Sequence, residues 1–282
     1  MPPEPVLVLH GGSGRRPAAA RLRRIRKRLR AIGHAGAAHL RRHSALETVA
    51  WVVARLEDDP LFNAGTGSYL QHDGRARMSA SIMDGASRRF AAVLNVEHVR
   101  HPVLVARALL AQEDRVLAGS GALRFARVQG FGPWNPVTRE RLRQWQHLAF
   151  DPSTQGTVGA VALDAAGHLA AATSTGGKGH DPIGRVSDSG MPVGNYADEL
   201  VAISCTGCGE DIMDEGLAVR IAQQVADGAP LPRAFAAMFR RLRADARRSG
   251  AIGLDRRGRM VWATTLPILL AVGGSRRLAT SF

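Results

Sequence analysis

The chain has 282 residues, of which 45% are hydrophobic and 22% are charged. This composition excludes a disordered or fibrous chain and predicts one globular domain, 1–282, with a large core. The longest apolar run near the C-terminus, Leu266 to Val272, is far shorter than the roughly 20 residues that cross a bilayer. The start of the sequence also lacks a signal-peptide pattern, so we expect a soluble, cytoplasmic protein without a membrane partner.

The net charge of +14 raises the question of a nucleic-acid partner, and the densest basic segment runs from Arg15 to His43. All but Lys27 and Lys178 of the 38 basic residues are arginines, which fits a chain-wide bias as well as it fits phosphate contacts. Apolar residues recur in this segment at helical spacing, at Leu22, Ile25, Leu29 and Ile32. We therefore predict an amphipathic helix with a solvated basic face, and nucleic-acid binding is the less favoured alternative.

The first half of the chain predicts strands and helices in mixed order. A strand over Val6–Leu9 ends in a glycine-rich turn, and Ser44 with Glu47 forms a capping-box pattern that begins a helix reaching Leu56. Two strands and a helix follow, at Met78–Met83, Phe90–Leu94 and Pro102–Gln112. Periodicity is weak from Gly119 to Gln155, which predicts a linker at about 119–156.

The second half predicts two hairpins separated by helices. The turn "DAAGH" joins strands Val158–Leu163 and Leu169–Ser174, and "GAIGLDRRGRMVWAT" forms a closing hairpin. The other elements expected here are a strand at Leu200–Cys205, helices at Asp211–Ala226 and Pro232–Arg248, and a last strand at Ile268–Val272. Hairpins mixed with long helices predict an α+β fold in which helices cover antiparallel sheets.

Two cysteines, Cys205 and Cys208, form a C-x-x-C in "SCTGCGE". The motif follows an apolar strand rather than opening a helix as a thioredoxin-type pair does, and the chain has no second cysteine pair for a zinc site. We therefore favour structural cysteines over a redox or metal role.

Thr157 opens the first strand of the "DAAGH" hairpin directly after the loop "DPSTQG". Threonine is common in strands, so the pattern alone favours a structural residue. The alternative is that the Gly156–Thr157 bond is cut and that the new α-amino group of Thr157 activates its own hydroxyl as a nucleophile.

Six stretches bear on this choice: "LHGGSG", "LEDDPLFNAGTGS", "IMDGASRRFAAVLNVEHVRHPVLVARAL", "GTVGAVALDAAGHLAAATSTGG", "GRVSDS" and "SCTGCGE". In content and order they resemble the plant-type L-asparaginases and isoaspartyl peptidases, which are N-terminal-nucleophile hydrolases. The resemblance implies a four-layer αββα sandwich and self-cleavage before Thr157 into an α chain, 1–156, and a β chain, 157–282. An α-amine can take the hydroxyl proton because its reference pKa lies near 7.7–8.0.

The resemblance also implies the roles of the site residues. The catalytic set would be Thr157, Thr175, Thr206, Gly207 and Asn63, and the substrate-binding set would be Arg185, Asp188, Thr206, Gly207 and Gly209. Arg185 would hold the substrate α-carboxylate with its fork of donors, and Asp188 would hold the α-ammonium. Thr206 and Gly207 would form the oxyanion hole, while Thr175 and Asn63 would lie beside the nucleophile. Read without the resemblance, each of these residues also fits an ordinary turn, strand end or surface ion pair.

No cofactor is implied for catalysis, but the family has a loop whose carbonyl groups bind a structural sodium ion. The matching residues are Leu56, Glu57, Asp59, Phe62, Ala64 and Thr66. Carbonyl oxygens are suitable hard ligands for such an ion. The family also implies a homodimer of αβ units.

The positions that depart from the family pattern bear on which substrate is bound more than on whether the chain cleaves itself. Cys208 replaces the usual threonine, Ser79 stands where a carboxylate is common, and "WATTLPILLA" lacks the family's usual motif near the end. We predict hydrolysis of β-aspartyl (isoaspartyl) dipeptides and of L-asparagine, with release of L-aspartate. The alternatives are an impaired or differently specific member, such as a glycosylasparaginase-like amidase, and an arginine-rich nucleic-acid-binding protein on the same fold.

Overall fold

Two β-sheets with helices packed against them make up the computed structural model of the chain, which describes residues 3–147, 156–274 and 278–280. The strands described are β1 (Val6–Gly14), β2 (Met78–Asp84), β3 (Arg89–Val96), β4 (Val116–Ala118), β5 (Val158–Leu163), β6 (Leu169–Thr175), β7 (Asn195–Ala197), β8 (Val201–Gly207), β9 (Ser249–Asp255), β10 (Met260–Thr264), β11 (Ile268–Gly274) and β12 (Leu278–Thr280). The helices described are α1 (Ala19–Leu40), α2 (Ala45–Glu57), α3 (Pro102–Leu109), α4 (Gly119–Val128), α5 (Arg139–Gln146), α6 (Gly209–Glu215), α7 (Leu217–Ala226) and α8 (Leu231–Ala244).

The larger sheet has the strand order β12-β11-β1-β5-β6-β2-β3-β4, and the smaller sheet has the order β10-β9-β8-β7. Neighbouring strands are antiparallel throughout, except for the parallel pair β3 and β4. The predicted hairpin between β5 and β6 is present, with Leu163 opposite Leu169. The prediction of antiparallel sheets covered by helices is therefore confirmed as a mixed fold of helices and two sheets.

The buried core has three parts, because alternate residues of a strand face opposite sides of a sheet. On β1, Leu7 and Leu9 pack with α1, α2 and α3. Val6 and Val8, which alternate with these leucines along the strand, instead share a cluster with Ile252 of the smaller sheet. A third cluster joins the outer side of the smaller sheet to α6, α7 and α8.

The predicted basic helix and the capped helix are both confirmed. In α1 the residues Leu22, Ile25 and Leu29 are buried, while the arginines between them lie on the exposed or partly exposed faces. At the start of α2, the backbone N–H of Glu47 donates to Ser44 Oγ at 3.2 Å, and Ser44 N donates to Glu47 Oε2 at 3.1 Å. This is the reciprocal pair of bonds that defines a capping box.

Several predicted boundaries were wrong. The first strand does not end at Leu9 but continues to Gly14, with an irregular register between His10 and Ser13. The predicted helix Asp211–Ala226 is two helices, because Gly216 between them has a left-handed φ of 54°. Among the described residues, no helix is long and apolar enough to cross a membrane.

The linker predicted at about 119–156 contains two helices, α4 and α5, in its described part. Hydrophobic periodicity missed them because each buries little apolar surface: α4 buries only Ala122 and Ala126, and the buried residue of α5 is Arg141. The predicted stretch 148–155 lies outside the described residues.

Candidate active site

The hydroxyl of Thr157 lies within reach of two other hydroxyl groups. It donates to Thr175 Oγ1 at 3.3 Å and lies 3.5 Å from Ser189 Oγ. The strand register explains the first contact: Val158 of β5 pairs with Ser174 of β6, so the residue before Val158 meets the residue after Ser174. Thr157 is 6% exposed, which leaves a small opening to solvent beside the Gly156–Thr157 bond.

Asn63 ties the loop after α2 to the end of β6, next to this bond. Its Nδ2 donates to the Gly177 carbonyl at 2.6 Å, and its Oδ1 accepts from the backbone N–H of Tyr69 at 2.9 Å. A β-carbon placed on Gly156 would lie 3.6 Å from Asn63 Cβ. Asn63 thus lies beside Gly156, and both ends of its amide are hydrogen-bonded.

Thr206 and Gly207 form the end of β8. The Thr206 hydroxyl is fully buried and has no hydrogen-bond partner among the described residues. A buried donor without a partner is uncommon in folded proteins, and it suits a group that bonds a charge developing during the reaction. Gly207 has a φ of 127°, and a β-carbon there would lie 2.6 Å from the Arg248 carbonyl oxygen, so the turn requires glycine.

The substrate-binding residues predicted from the sequence meet around Gly209. A β-carbon on Gly209 would lie 2.9 Å from Asp188 Oδ1 and 3.0 Å from Arg185 Nη2. Because Gly209 has no side chain, the space between the Arg185 guanidinium and the Asp188 carboxyl group stays open. Ser189 directly follows Asp188 and contacts Thr157, which connects Arg185 and Asp188 to the surroundings of Thr157.

Asp188 is buried, and its Oδ2 has no hydrogen-bond partner among the described residues. Burial raises the pKa of Asp188 to about 7, the charge of Arg185 opposes that shift, and the charge of Glu210 adds to it. An ammonium group at this place would stabilise the ionised carboxylate, as the predicted role requires.

Glu210 and Asp181 both contact Arg185, and the sequence reasoning identified neither. Glu210 accepts from Arg185 Nε and Nη2, each at 2.9 Å, and Asp181 Oδ1 lies 3.3 Å from Arg185 Nη1. Glu210 stands in the quoted stretch "SCTGCGE", but its partner is 25 positions away and no local pattern indicates it. A substrate carboxylate would therefore share this guanidinium with two carboxylates of the protein.

The two cysteines are free thiols in the structure. Cys205 is fully buried in β8, and burial raises its pKa well above the usual thiol range, with a further contribution from Asp188. Cys208 lies beside Glu210 and Arg248, which places it at the edge of the Arg185 cluster. Among the described residues, no group of three or more His, Cys, Asp or Glu is arranged to hold a metal ion.

The loop predicted to bind sodium closes on itself through its backbone. Thr66 N donates to the Glu57 carbonyl at 2.7 Å, Phe62 N donates to the Asp59 carbonyl at 3.0 Å, and Asp59 N donates to the Leu56 carbonyl at 3.2 Å. The carbonyl groups of Leu56, Glu57 and Asp59 thus each accept one hydrogen bond within the loop and keep a second lone pair. The turn depends on Gly65, since a side chain there would collide with the Glu57 carbonyl.

The same loop is connected to the catalytic strand through the Glu57 side chain. Ser174, which precedes Thr175, donates to Glu57 Oε1 at 2.6 Å. Burial raises the pKa of Glu57 to about 8, although hydrogen bonds from Ser174 and Val103 oppose the shift. On the neighbouring strand β2, Ser79 pairs with Thr175. Its hydroxyl accepts a hydrogen bond from Asn95 N at 3.1 Å. A carboxylate was the residue expected at this position from the family resemblance.

Comparison with known proteins places the chain in a family. A family model described as Asparaginase matches residues 3–278. Two proteins named Isoaspartyl peptidase/L-asparaginase are similar to it: that of Synechocystis sp. is 41% identical over 95% of this chain and 87% of its own length, and that of Nostoc sp. is 42% identical over 95% and 91%. The Plant-type L-asparaginase of Pyrobaculum calidifontis is 39% identical over 91% of this chain and 92% of its own length. With a match over nearly its whole length, this chain belongs to the asparaginase family of isoaspartyl peptidases and plant-type L-asparaginases.

Proposed function

We propose that the protein is an amidohydrolase that cleaves β-aspartyl amide bonds, in isoaspartyl dipeptides and in L-asparagine, and releases L-aspartate. One observation carries the proposal: the Thr157 hydroxyl contacts Thr175 and Ser189, and Ser189 adjoins the Asp188 and Arg185 cluster. A nucleophile and a pair of opposite charges suited to an amino acid therefore occur in one site. The names of the similar proteins support the same reaction.

Activity requires that the Gly156–Thr157 peptide bond be cut. In this step the Thr157 oxygen attacks the Gly156 carbonyl carbon, an ester replaces the amide, and the freed nitrogen takes up a proton. Water then hydrolyses the ester and regenerates the hydroxyl. The products are chains 1–156 and 157–282, the second of which carries a free α-amine beside its own nucleophile.

Turnover then uses the same oxygen on the substrate. The α-amine of Thr157 takes the hydroxyl proton, the oxygen attacks the substrate β-carbonyl, and Thr206 with the Gly207 N–H stabilises the oxyanion. Collapse of the tetrahedral intermediate expels the amine, which receives the proton. Water cleaves the aspartyl ester and completes the cycle.

Three further features belong to this proposal. The helices on the outer sides of the two sheets support the αββα layering of N-terminal-nucleophile hydrolases. The carbonyl groups of the loop from Leu56 to Thr66 would hold a sodium ion that stiffens the loop. A homodimer of αβ units is proposed from the family resemblance alone.

Release of L-aspartate tests the proposed reaction. Protein left to mature should release aspartate from a β-aspartyl dipeptide and from L-asparagine. It should leave the isomeric α-aspartyl dipeptide intact, because that substrate places its reacting carbonyl one carbon closer to the ammonium. Failure to release aspartate from either β-amide by protein that has been cleaved at residue 157 would refute the proposal.

A further inference from the structure

A pocket of about 290 Å³ opens beside the Gly156–Thr157 bond, and Gly156 and Asn63 form part of its wall. Its other walls come from the glycine-rich end of β1, the helix α5 and the strand β11. Arg185 and Asp188 do not line it. The pocket therefore lies beside the residue that precedes Thr157 and is separate from the cluster assigned to the aspartyl group.

The charged side chains that line the pocket are basic, and one of them, Arg21, pairs with Glu140 at 3.0 Å. Every charged residue among its described lining residues is an arginine: Arg15, Arg21 and Arg141. Arg141 is only 4% exposed, donates from Nε to the Gly67 carbonyl at 2.6 Å, and lies with its guanidinium 4.1 Å from the centre of the Tyr69 ring. Its Nη1 donates to the neutral side chain of Gln144 at 2.8 Å. No carboxylate of the described residues forms an ion pair with Arg141, so this buried cation suits an external anion.

One residue that lines the pocket, Ser13, lies close to Thr206, which is proposed as part of the oxyanion hole. Ser13, which lines the pocket, is 3% exposed, and its hydroxyl has no hydrogen-bond partner among the described residues. A β-carbon on Gly250 would lie 3.2 Å from Ser13 Oγ and 3.4 Å from Thr206 Cγ2, so Ser13 and Thr206 flank the same glycine. Ser13 therefore connects the wall of the pocket to the neighbourhood of Thr206.

The charged groups of the two candidate substrates indicate which group this pocket binds. L-asparagine carries one carboxylate and one ammonium group, and Arg185 with Asp188 can bind both. A β-aspartyl dipeptide carries a second carboxylate, on the residue that leaves. We propose that the pocket binds the free carboxylate of this leaving residue, with Arg141 as its main cation, and that β-aspartyl dipeptides are therefore preferred to L-asparagine. This inference rests on the proposed function.

The test compares three substrates: a β-aspartyl dipeptide with a free C-terminal carboxylate, the same dipeptide with a C-terminal amide, and L-asparagine. The wild-type protein should show a kcat/KM at least tenfold higher for the free acid than for the amide, because the two differ only in the proposed anion. In Arg141→Gln this preference should fall to less than threefold, and the free acid should lose at least tenfold more kcat/KM than L-asparagine does. Arg143→Gln is the matched control, since Arg143 is exposed on the same helix and does not line the pocket.

Equal wild-type kcat/KM values for the acid and the amide would overturn the inference without touching the proposed function. The arginines of the pocket would then bind another anion, such as the new carboxyl terminus at Gly156. An equal loss for all three substrates in Arg141→Gln would also overturn it, because Arg141 would then support the loop at Gly67 rather than bind the leaving residue. The wild-type comparison decides the matter even if Arg141→Gln does not fold.

Discussion

Three hydroxyl groups meet at residue 157, and their separations are 3.3 Å to Thr175 and 3.5 Å to Ser189. A threonine hydroxyl is a weak nucleophile at neutral pH, so its proposed role needs neighbours that orient it and a base that takes its proton. Arg185 and Asp188 are proposed to have a different task, since their charges match those of an amino-acid substrate and not the peptide bond at Gly156. The two tasks can be separated by substitution.

Arg185→Ala should still be cut at Gly156–Thr157, because an anchor for a substrate carboxylate is not needed to break that bond. It should lose about 30- to 1,000-fold in kcat/KM for β-aspartyl substrates, as expected for the loss of a charge-assisted contact. Fragment formation by intact mass and hydrolysis of a β-aspartyl dipeptide should be measured on the same preparation. A cut Arg185→Ala protein with wild-type kcat/KM would remove Arg185 from the substrate site.

The raised pKa of Asp188 predicts how the stability of the folded protein changes with pH. Its pKa is about 7 in the folded protein and 3.8 in an unstructured chain. Between these values the unfolded state releases a proton that the folded state keeps, so this group makes the folded state less stable as the pH rises from about 4 to 7. Well above pH 7 both states are ionised and its effect stays constant.

Asp188→Asn should remove this dependence. In a Thr157→Ala background, which keeps the chain continuous, the stability of Asp188→Asn relative to its parent should rise by about 2–4 kcal/mol between pH 4 and pH 7. Urea unfolding at several pH values measures the difference, and contributions from other groups cancel. A difference that is flat across this range would show that Asp188 is ionised throughout in the folded protein.

At the scale of elements, a helix could be predicted from the sequence when it buries apolar side chains at regular spacing. The helix α1 and the capped helix α2 bury continuous apolar stripes, and their periodicity and capping residues predicted them. The helix α5 is fixed by Arg141, which is held by a carbonyl group and an aromatic ring, and hydrophobic periodicity cannot detect such a contact. Short strands such as β7, with three residues, were missed for the related reason that they carry too few positions for a pattern.

The basic face of α1 should not bind nucleic acid under physiological conditions. Binding of duplex DNA, if seen at low salt, should disappear by about 0.15 M salt, because unspecific phosphate contacts release counterions. Fluorescence anisotropy over a salt series measures this, with Arg23→Gln/Arg24→Gln/Arg30→Gln as the comparison, since all three side chains are exposed. Tight binding that persists at that salt and is lost in the triple variant would contradict the prediction.

At the scale of the whole molecule, the site is assembled from distant parts of the chain. The sheet register brings Thr157 to Thr175, while a short 3-10 helix, Asp188–Gly190, carries Ser189 and a loop carries Asn63 to the same place. The ordered motifs allowed Thr157, Arg185 and Asp188 to be named from the sequence through the family resemblance. The contacts of Ser189 and of Glu210 could not be named, because they depend on loop paths that no local pattern encodes.

The central claim is that the chain turns Thr157 into an N-terminal nucleophile, and intact mass spectrometry during incubation at neutral pH tests it most directly. The wild-type protein should change from one chain of 282 residues into two fragments that meet at the Gly156–Thr157 bond. Release of aspartate from a β-aspartyl dipeptide should rise in step with the fragments. Thr157→Ala should remain a single chain without activity. A wild-type protein that hydrolyses the dipeptide while it stays uncut, or a Thr157→Ala protein that is cut at the same bond, would contradict the account.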